Sequence, residues 1–273
     1  MQAFSPWTNP GGTLGVIVAE AQICAEGLES RRRELERACS LVPIGASLRS
    51  ALRQPAVGLL AEVKRRSPSK GAIAAGLDAV AQAHAYAMGG AAGVSILTEP
   101  AHFGGSIDDL LDVGRSVALP TLKKDFHVAP IQLVEARALG ASAALLIARA
   151  IAPHRLSEMM RIGHALGLEL LVEVRDEAEL EQALAEGAIM IGVNNRDLET
   201  LIIDPATSDR LIPRIPPHVV AIAESGVRTR ADVERYAAVG ADAVLVGSSL
   251  SVSPDPAAAT RALAGVPRRQ RAG

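Results

Sequence analysis

Eight short apolar runs, separated by longer stretches of helical period, set the strongest limit on how this chain folds. Each run is rich in Val, Ile, Leu and Ala, and the alternation begins at residue 57. Such an alternation is typical of strand–helix–strand units, which form parallel sheets. The runs are VGLLAEVK (57–64), GVSILTE (93–99), PTLKKDF (120–126), AALLIAR (143–149), ELLVEVR (169–175), MIGVNNRD (190–197), VVAIAESG (219–226) and AVLVGSS (243–249).

The spacing of the runs favours a closed barrel over an open sheet. They recur roughly every 25 residues, close to what eight strand–helix units in about 250 residues need. An open doubly wound sheet requires a GxGxxG turn after its first strand, where this chain has AEVKRRSPSKG. The sequence therefore predicts an α/β fold, the (β/α)8 or TIM barrel, over residues 57–265. Glycines of the kind that end helices follow the periodic stretches at Gly89-Gly90, Gly140, Gly167, Gly187 and Gly240.

The two ends of the chain lie outside the predicted barrel. We expect residues 1–56 to form an N-terminal extension with one or two helices packed over one end of the barrel. The run Arg31–Arg33 is either a basic patch or the solvated face of a helix, and acidic residues on both sides favour the helix face. Residues 266–273 predict a flexible tail.

Composition excludes whole classes of partner. The formal net charge is −2 and aromatic residues make up 2%, so neither attraction to nucleic acid nor a stacking platform for single strands is predicted. No apolar run approaches the roughly 18 residues of a membrane helix, and the first residues lack the order of a signal peptide. We expect a cytoplasmic protein without nucleic-acid or membrane partners, and protein partners stay open.

Cysteine and histidine positions give no sign of a disulfide or a metal site. Cys24 and Cys39 lie outside any CxxC pattern, and the six histidines lack HxxxH or HExxH spacing. We expect two free thiols and no metal. A small anionic ligand remains compatible with the overall charge, since one basic site suffices to bind it.

Charged and amide side chains recur at the ends of the predicted strands. Glu62 and Lys64 lie two residues apart and so share one face of the first strand. Catalytic groups of barrel enzymes lie at the C-terminal ends of the strands. An unpaired buried charge costs several kcal/mol, so one strand-end charge fits a structural ion pair, whereas a ring of them fits a site. The predicted ring consists of Glu62, Lys64, Lys124, Glu173, Asn194 and Glu224.

The loops after the seventh and eighth strands have the composition of a phosphate site. They contain Ser225-Gly226 and Gly247-Ser248. Barrels often bind phosphate with backbone N–H groups of these two loops, and glycine lets the backbone approach the anion closely. The pair of loops therefore predicts a phosphorylated small-molecule substrate.

Three further features at the strand ends have two interpretations each. The segment SPSKG (67–71) is either a flap carrying a mobile cation or a turn. Phe103 and Phe126 either provide an aromatic wall for a substrate ring or pack a loop. Arg196 either pairs with Asp197 or binds a substrate carboxylate.

Together these motifs resemble the indole-3-glycerol-phosphate synthase family over about residues 57–250. The resemblance is carried by AEVKRRSPSKG, VSILTE with HFGGS, LKKDF, LLVEV, IGVNNRDLETL, AESGV and VGSSL, in this order. It implies a carbon–carbon lyase of tryptophan biosynthesis that closes the indole ring of 1-(2-carboxyphenylamino)-1-deoxyribulose 5-phosphate, with loss of carbon dioxide and water. It implies no cofactor. Residues 1–56 do not share the resemblance, and Trp7 either stacks on the substrate or packs.

The resemblance also implies roles for the site residues. Lys124 is the general acid that protonates the substrate ketone, Glu173 transfers protons beside it, and Lys123 points away. Glu62 and Lys64 serve the dehydration and hold the ligand, with each proton transfer left open. A pKa lowered by burial or by Lys64 would suit Lys124 as an acid. The resemblance assigns orientation of the substrate in catalysis to Asn194, Glu224 and Ser225, its phosphate to Gly226, Gly247 and Ser248, and its carboxylate to Ser67 and Arg196.

Two alternatives remain at this point. Another phosphate-binding barrel, such as phosphoribosylanthranilate isomerase, shares the phosphate loops but does not need the EVK, KDF and VEV motifs together. A catalytically silent barrel that binds a phosphate ligand or a protein is disfavoured, because every proposed acid and base is present.

Overall fold

Eight parallel strands close into a barrel in a computed structural model, which describes residues 7–271. The strands are β1 (Gly58–Val63), β2 (Gly93–Leu97), β3 (Thr121–Lys124), β4 (Ala143–Ile147), β5 (Glu169–Val174), β6 (Met190–Asn194), β7 (Val220–Glu224) and β8 (Ala243–Val246). Each strand pairs with the next along the chain, and β1 pairs with β8 to close the barrel. A short hairpin of Arg66–Ser67 with Gly71–Ala72 follows β1. The predicted (β/α)8 barrel is confirmed.

Helices surround the barrel, and several of them begin at polar caps. The side chains of Asp78, Asp176 and Thr229 accept hydrogen bonds from backbone N–H groups in the first turns of their helices. No helix within residues 7–271 combines the length and the apolar character that crossing a membrane requires. The helices are α1 (Gly12–Glu29), α2 (Arg32–Leu41), α3 (Leu48–Leu52), α4 (Ala79–Met88), α5 (Pro100–Phe103), α6 (Ile107–Ser116), α7 (Pro130–Ala138), α8 (Pro153–Ala165), α9 (Glu177–Ala185), α10 (Ala206–Leu211), α11 (Arg230–Ala238), α12 (Ser248–Ser251) and α13 (Pro256–Leu263), with 3-10 turns at Ala148–Ala150 and Ile212–Arg214.

The N-terminal extension closes the bottom of the barrel. Leu48 and Leu52 of α3 are fully buried against the N-terminal ends of the strands. They occupy space that two glycines leave free: a Cβ on Gly93 would lie 2.7 Å from Leu48 Cδ1, and one on Gly58 would lie 3.0 Å from Leu52. Close packing of α3 against β1 and β2 therefore depends on glycine at both strand starts.

The same extension also reaches the C-terminal end of the barrel. Leu14 and Ile17 of α1 are buried there, while α2 packs on α7 along the side. The extension thus contacts both ends of the barrel, whereas the sequence predicted one. Arg31 and Arg32 pair with neighbouring glutamates on an exposed helix surface, which confirms the solvated face.

The C-terminal segment is bound to the barrel. Val57 N donates a hydrogen bond to Val266 O at 2.8 Å. Arg268 and Arg271 both pair with the buried carboxylate of Asp242, and Arg271 Nη2 lies 2.9 Å from Asp242 Oδ2. The predicted flexible tail is therefore wrong for residues 266–271, because its arginines find a buried carboxylate and backbone carbonyls that the sequence does not reveal. Residues 272–273 lie outside the described residues.

Replacing Arg271 by alanine should lower the free energy of unfolding by about 2–3 kcal/mol, because Asp242 stays buried and loses one of its two charged partners. Urea unfolding followed by circular dichroism measures this change. The matched control is Arg269→Ala, because Arg269 is exposed and its loss should change stability by less than about 0.5 kcal/mol. Equal effects of the two substitutions would contradict a bound C-terminal segment.

Candidate active site

A cavity of about 590 Å³ opens at the C-terminal ends of the strands. Every site residue predicted from the sequence lines this cavity. Residues that are far apart along the chain meet here because parallel barrel strands end at one rim. They are Glu62, Lys64, Ser67, Phe103, Lys124, Phe126, Glu173, Asn194, Arg196, Glu224, Ser225, Gly226, Gly247 and Ser248.

Lys124 lies at the centre of the buried polar groups. Its Nζ is 3.2 Å from Glu173 Oε2 and 3.8 Å from Glu224 Oε2. Glu173 also accepts a hydrogen bond from Asn194 Nδ2 at 2.8 Å, which holds its carboxylate between two donors. The end of β3 thus places a cation between carboxylates from β5 and β7, where water has little access.

The pKa of Lys124 moves in the opposite direction from the one expected. Burial by itself lowers this pKa, but the carboxylates of Glu173, Glu224 and Glu62 together raise it above its usual value. The expected lowering by Lys64 is wrong, because Lys64 Nζ lies 2.8 Å from Glu62 Oε1 and its charge is balanced there. Lys124 is therefore an ammonium in the free protein and carries a proton that it can donate.

Glu224 is the carboxyl group that this arrangement keeps protonated. Burial, opposed by Lys124 and reinforced by Glu173 and Glu62, raises the pKa of Glu224 to about 8. Its Oε1 is buried and has no hydrogen-bond partner within residues 7–271. With Glu224 neutral, the carboxylates of Glu62 and Glu173 balance the ammonium groups of Lys64 and Lys124, so the group has no net charge.

Two glycines leave the space that the buried glutamates occupy. A Cβ on Gly192 of β6 would lie 1.9 Å from Glu224 Oε1, and one on Gly247 would lie 2.4 Å from Glu62 Oε1. The sequence motifs indicate a role in phosphate binding only for Gly247 and do not single out Gly192. A glycine inside an apolar strand was the available signal, because it marks a close approach of another group.

An apolar wall lies beside the ionic groups in the cavity. The rings of Phe103 and Phe126 lie 5.9 Å apart with an interplanar angle of 37°. Lys64 Nζ lies 5.8 Å from the centre of the Phe103 ring, which is close enough for a cation–π contact. Leu14 and Ile17 of α1 complete this wall, so the extension contributes to the cavity. Trp7 does not line it.

A cationic rim surrounds the predicted phosphate loops. Lys70 from the hairpin after β1, together with Arg228 and Arg196, lines the cavity beside Ser225-Gly226. Burial and the repulsion of Arg228, Arg196 and Lys64 lower the pKa of Lys70. Positive groups that repel each other in this way attract an anion strongly. The sequence motifs do not single out Arg228, although it follows directly on the ESGV loop.

Arg196 is directed by backbone contacts. Its Nη1 donates to Leu201 O at 2.9 Å, and its backbone N donates to Asn194 Oδ1 at 2.9 Å. The alternative in which Arg196 pairs with Asp197 is wrong, because Asp197 lies 3.3 Å from Arg175. Burial lowers the pKa of Arg196, which is the direction expected for a cation that faces the cavity.

Lys123 points away from the cavity, as strand alternation predicted. Its Nζ lies 3.0 Å from Asp125 Oδ2 and 3.2 Å from Glu135 Oε2, between β3 and α7. Burial lowers the pKa of the adjacent His127 to about 3, so this ring is neutral. Lys123 is thus the cation that balances two acidic side chains outside the barrel wall.

One trio of described residues has the geometry to hold a metal ion. Ligand atoms of Glu20, Glu99 and His102 lie within 4.8 Å of one another. Glu99 already accepts hydrogen bonds from three backbone N–H groups of α5, and His102 Nε2 lies 2.6 Å from Glu20 Oε2. The polar groups of these three residues therefore already have partners, and the residues lie outside the cavity.

Comparison with known proteins shows the family to which this chain belongs. The model of the family described as indole-3-glycerol phosphate synthase matches residues 15–263. The chain belongs to the indole-3-glycerol phosphate synthase family. Family members from Mycobacterium tuberculosis and Mycobacterium leprae are 46% and 48% identical to it, over 253 and 226 residues respectively. These alignments cover 92% of this chain and 93% of the first relative, and 83% of this chain and 83% of the second.

Family membership confirms the resemblance and extends it, since the match begins within α1 rather than at β1. More distant solved structures share the barrel. A thiamine phosphate pyrophosphorylase from Pyrococcus furiosus has a TM-score of 0.58 at 16% identity, covering 80% of this chain and 96% of that one. A 3-hexulose-6-phosphate synthase from Salmonella typhimurium has a TM-score of 0.59 at 15% identity, covering 76% and 96%. At this identity the likeness shows the fold alone.

Replacing Gly192 by alanine should reduce kcat by at least about tenfold, because the new Cβ displaces the carboxyl group of Glu224 from the Lys124 site. Steady-state kinetics measure the loss. Gly114→Ala is the control, since Gly114 lies within α6 with no atom within 4 Å of a new Cβ. That variant should keep its activity and gain up to about 1 kcal/mol of stability. A fully active Gly192→Ala variant would contradict the packing described for Glu224.

Replacing Glu224 by glutamine should stabilise the protein in a pH-dependent way. The pKa of Glu224 rises from an ordinary value of 4.5 in the unfolded chain to about 8 in the folded one, so its contribution to stability is lost as pH rises between these values. The stability gained by the Glu224→Gln variant should therefore be small at pH 4.5, grow up to pH 8 and then level off. Urea unfolding across this pH range measures it, and a gain that shrinks with rising pH would contradict the assignment.

Proposed function

We propose that the protein catalyses the ring closure of 1-(2-carboxyphenylamino)-1-deoxyribulose 5-phosphate to indole-3-glycerol phosphate, as a carbon–carbon lyase that releases carbon dioxide and water. The observation that carries the proposal is the buried Lys124 ammonium, 3.2 Å from Glu173, at the base of a cavity with one aromatic wall and one cationic rim. A substrate with an aromatic ring, a ketone, a carboxylate and a phosphate matches these features one by one.

The cavity orients the proposed substrate from both ends. The phosphate binds at Ser225-Gly226 and Gly247-Ser248, where Arg228 and Lys70 add positive charge. The carboxylated ring packs against Phe103 and Phe126, and its carboxylate lies near Arg196 and Ser67. Fixing both ends places the ketone carbon beside the ring carbon that attacks it.

Lys124 donates its proton to the ketone oxygen as the ring carbon forms the new bond. The ammonium group stabilises the negative charge that develops on this oxygen, and burial strengthens the attraction. Loss of carbon dioxide then restores the aromatic ring. Glu173, held by Asn194 and 3.2 Å from Lys124, then passes to Lys124 a proton that it takes up from solvent. The Lys64–Glu62 pair supplies an acid and a base for the loss of water, since a hydroxyl group must gain a proton and a carbon must lose one.

A cytoplasmic location forms part of the proposal, because a substrate with a phosphate and a carboxylate crosses membranes poorly.

Family membership supports the activity over the isomerase alternative. The direct test incubates the protein with the proposed substrate and follows indole fluorescence and carbon dioxide. Release of both supports the proposal, whereas an isomer formed without carbon dioxide, or no product, would overturn it.

Lys124→Met should lower kcat at least about a thousandfold, because it removes both the proton donor and the charge that stabilises the transition state. Lys124→Arg should also lose most activity, since the guanidinium keeps the charge but does not release a proton near neutral pH. Steady-state kinetics on folded protein, verified by circular dichroism, measure both variants.

The matched control is Lys123→Met on the adjacent strand residue. Lys123 balances Asp125 and Glu135, so its loss should lower the free energy of unfolding by about 3–5 kcal/mol. The fraction that stays folded should keep kcat within about tenfold of the parent, because Lys123 points out of the cavity. An inactive Lys123→Met protein beside an active Lys124→Met protein would reverse the assignment of the acid.

A further inference from the structure

A second and smaller cavity lies behind Glu173. It measures about 120 Å³, and Glu173 and Asn194 line both this cavity and the main one. Its other polar lining includes Asp176 and Glu179, at the start of α9. One water needs roughly 30 Å³, so the small cavity has room for a short chain of waters between these carboxyl groups.

Glu179 is a titratable group of this cavity that the proposed mechanism leaves unused. Its Oε2 accepts a hydrogen bond from Arg175 N at 2.7 Å, and its backbone N donates to Asp176 Oδ1 at 2.8 Å. These contacts cap α9 and hold the side chain towards the strand that carries Glu173. Capping uses one carboxyl oxygen of Glu179 and leaves its second oxygen available to the cavity.

The charges around Glu179 favour its protonated form. Burial and the neighbouring carboxylates of Asp176 and Glu173 raise the pKa of Glu179 to about 8, against the lowering effects of the Arg175 N–H group and Arg149. The three nearby arginines are already paired with other residues. Arg149 lies 2.8 Å from Glu199 Oε1, and Arg175 lies 3.3 Å from Asp197 Oδ2, while Arg196 donates to a backbone carbonyl.

The proposed reaction requires a proton from solvent in every turnover. The ketone oxygen leaves as water and so gains two protons, while one carbon of the substrate gives up one. The carboxylate leaves as neutral carbon dioxide, so the charge balances only if one further proton is taken up. While the substrate fills the main cavity, this proton needs another route to Lys124.

We propose that Glu179 and the small cavity behind Glu173 relay this proton from solvent to the catalytic pair of Glu173 and Lys124. The inference rests on the proposed function. Glu179 gives its proton to a water in the cavity, the water passes a proton to Glu173, and Glu173 protonates the amine that Lys124 becomes after it has protonated the ketone. Each step breaks one O–H bond and forms one O–H or N–H bond. Solvent then reprotonates Glu179.

Glu179→Gln separates a relay from a helix cap. The glutamine oxygen can still accept the Arg175 N–H group, so the cap is kept while the exchangeable proton is lost. We expect kcat at low buffer concentration to fall by at least about tenfold and to recover as imidazole buffer is added at constant ionic strength. KM and the single-turnover rate should stay near the parent values, because Lys124 starts each single turnover protonated.

Two further variants complete the test. Glu177→Gln alters an exposed carboxylate of the same helix turn, which pairs with Arg210, and should behave as the parent. Glu179→Asp keeps a titratable group and should restore turnover that is independent of buffer.

Two results would overturn the relay. One is a Glu179→Gln variant with the parent's kcat at low buffer concentration. The other is a loss that buffer does not restore and that is equally large in single turnover, which is what a damaged helix cap produces. Product formation by the parent is scored separately: a parent that releases no carbon dioxide refutes the proposed function, whereas an active parent with either result above refutes the relay alone.

Discussion

The ammonium group of Lys124, enclosed by carboxyl groups from three other strands, is the constraint on which the rest of the site depends. A buried cation is stable only with a partner; the Glu173 carboxylate supplies it at 3.2 Å, and the Glu224 carboxyl group lies 3.8 Å away. Burial, reinforced by the repulsion of the Glu173 and Glu62 carboxylates, raises the pKa of Glu224 to about 8. The net charge of the site is therefore zero only when all of these groups are counted together with Lys64.

The barrel provides this balance at a cost to its own packing. Gly192 and Gly247 give up side chains so that Glu224 and Glu62 can enter the rim. At the other end, glycines at the starts of β1 and β2 admit the leucines of α3, which close the bottom with apolar contacts. Stability therefore comes from the N-terminal end and the outer layer, and the C-terminal end is left free to hold charges that do not favour folding.

Much of this organisation could be predicted from the sequence, because its causes are local. Alternation of apolar runs and helical stretches gives the strands, and a two-residue period decides that Lys124 faces the cavity while Lys123 does not. What could not be predicted depends on distances between strands. The pKa of Lys124 rises because of carboxylates far away in sequence, and Arg271 looks like part of a charged tail until Asp242 lies beside it. The contact of Leu14 with the cavity also depends on how α1 packs on the barrel, which the sequence of α1 does not determine.

The central claim is tested most directly by following the protonation of these groups in the free protein. Nuclear magnetic resonance of carbon-13-labelled glutamate carboxyl groups and of nitrogen-15-labelled lysine ammonium groups, titrated from about pH 6 to pH 9, reports each group separately. The structure predicts that Lys124 stays charged throughout and that the Glu224 carboxyl group loses its proton near pH 8. A Lys124 signal that becomes neutral near pH 7, or a Glu224 carboxyl group already ionised at pH 6, would contradict it.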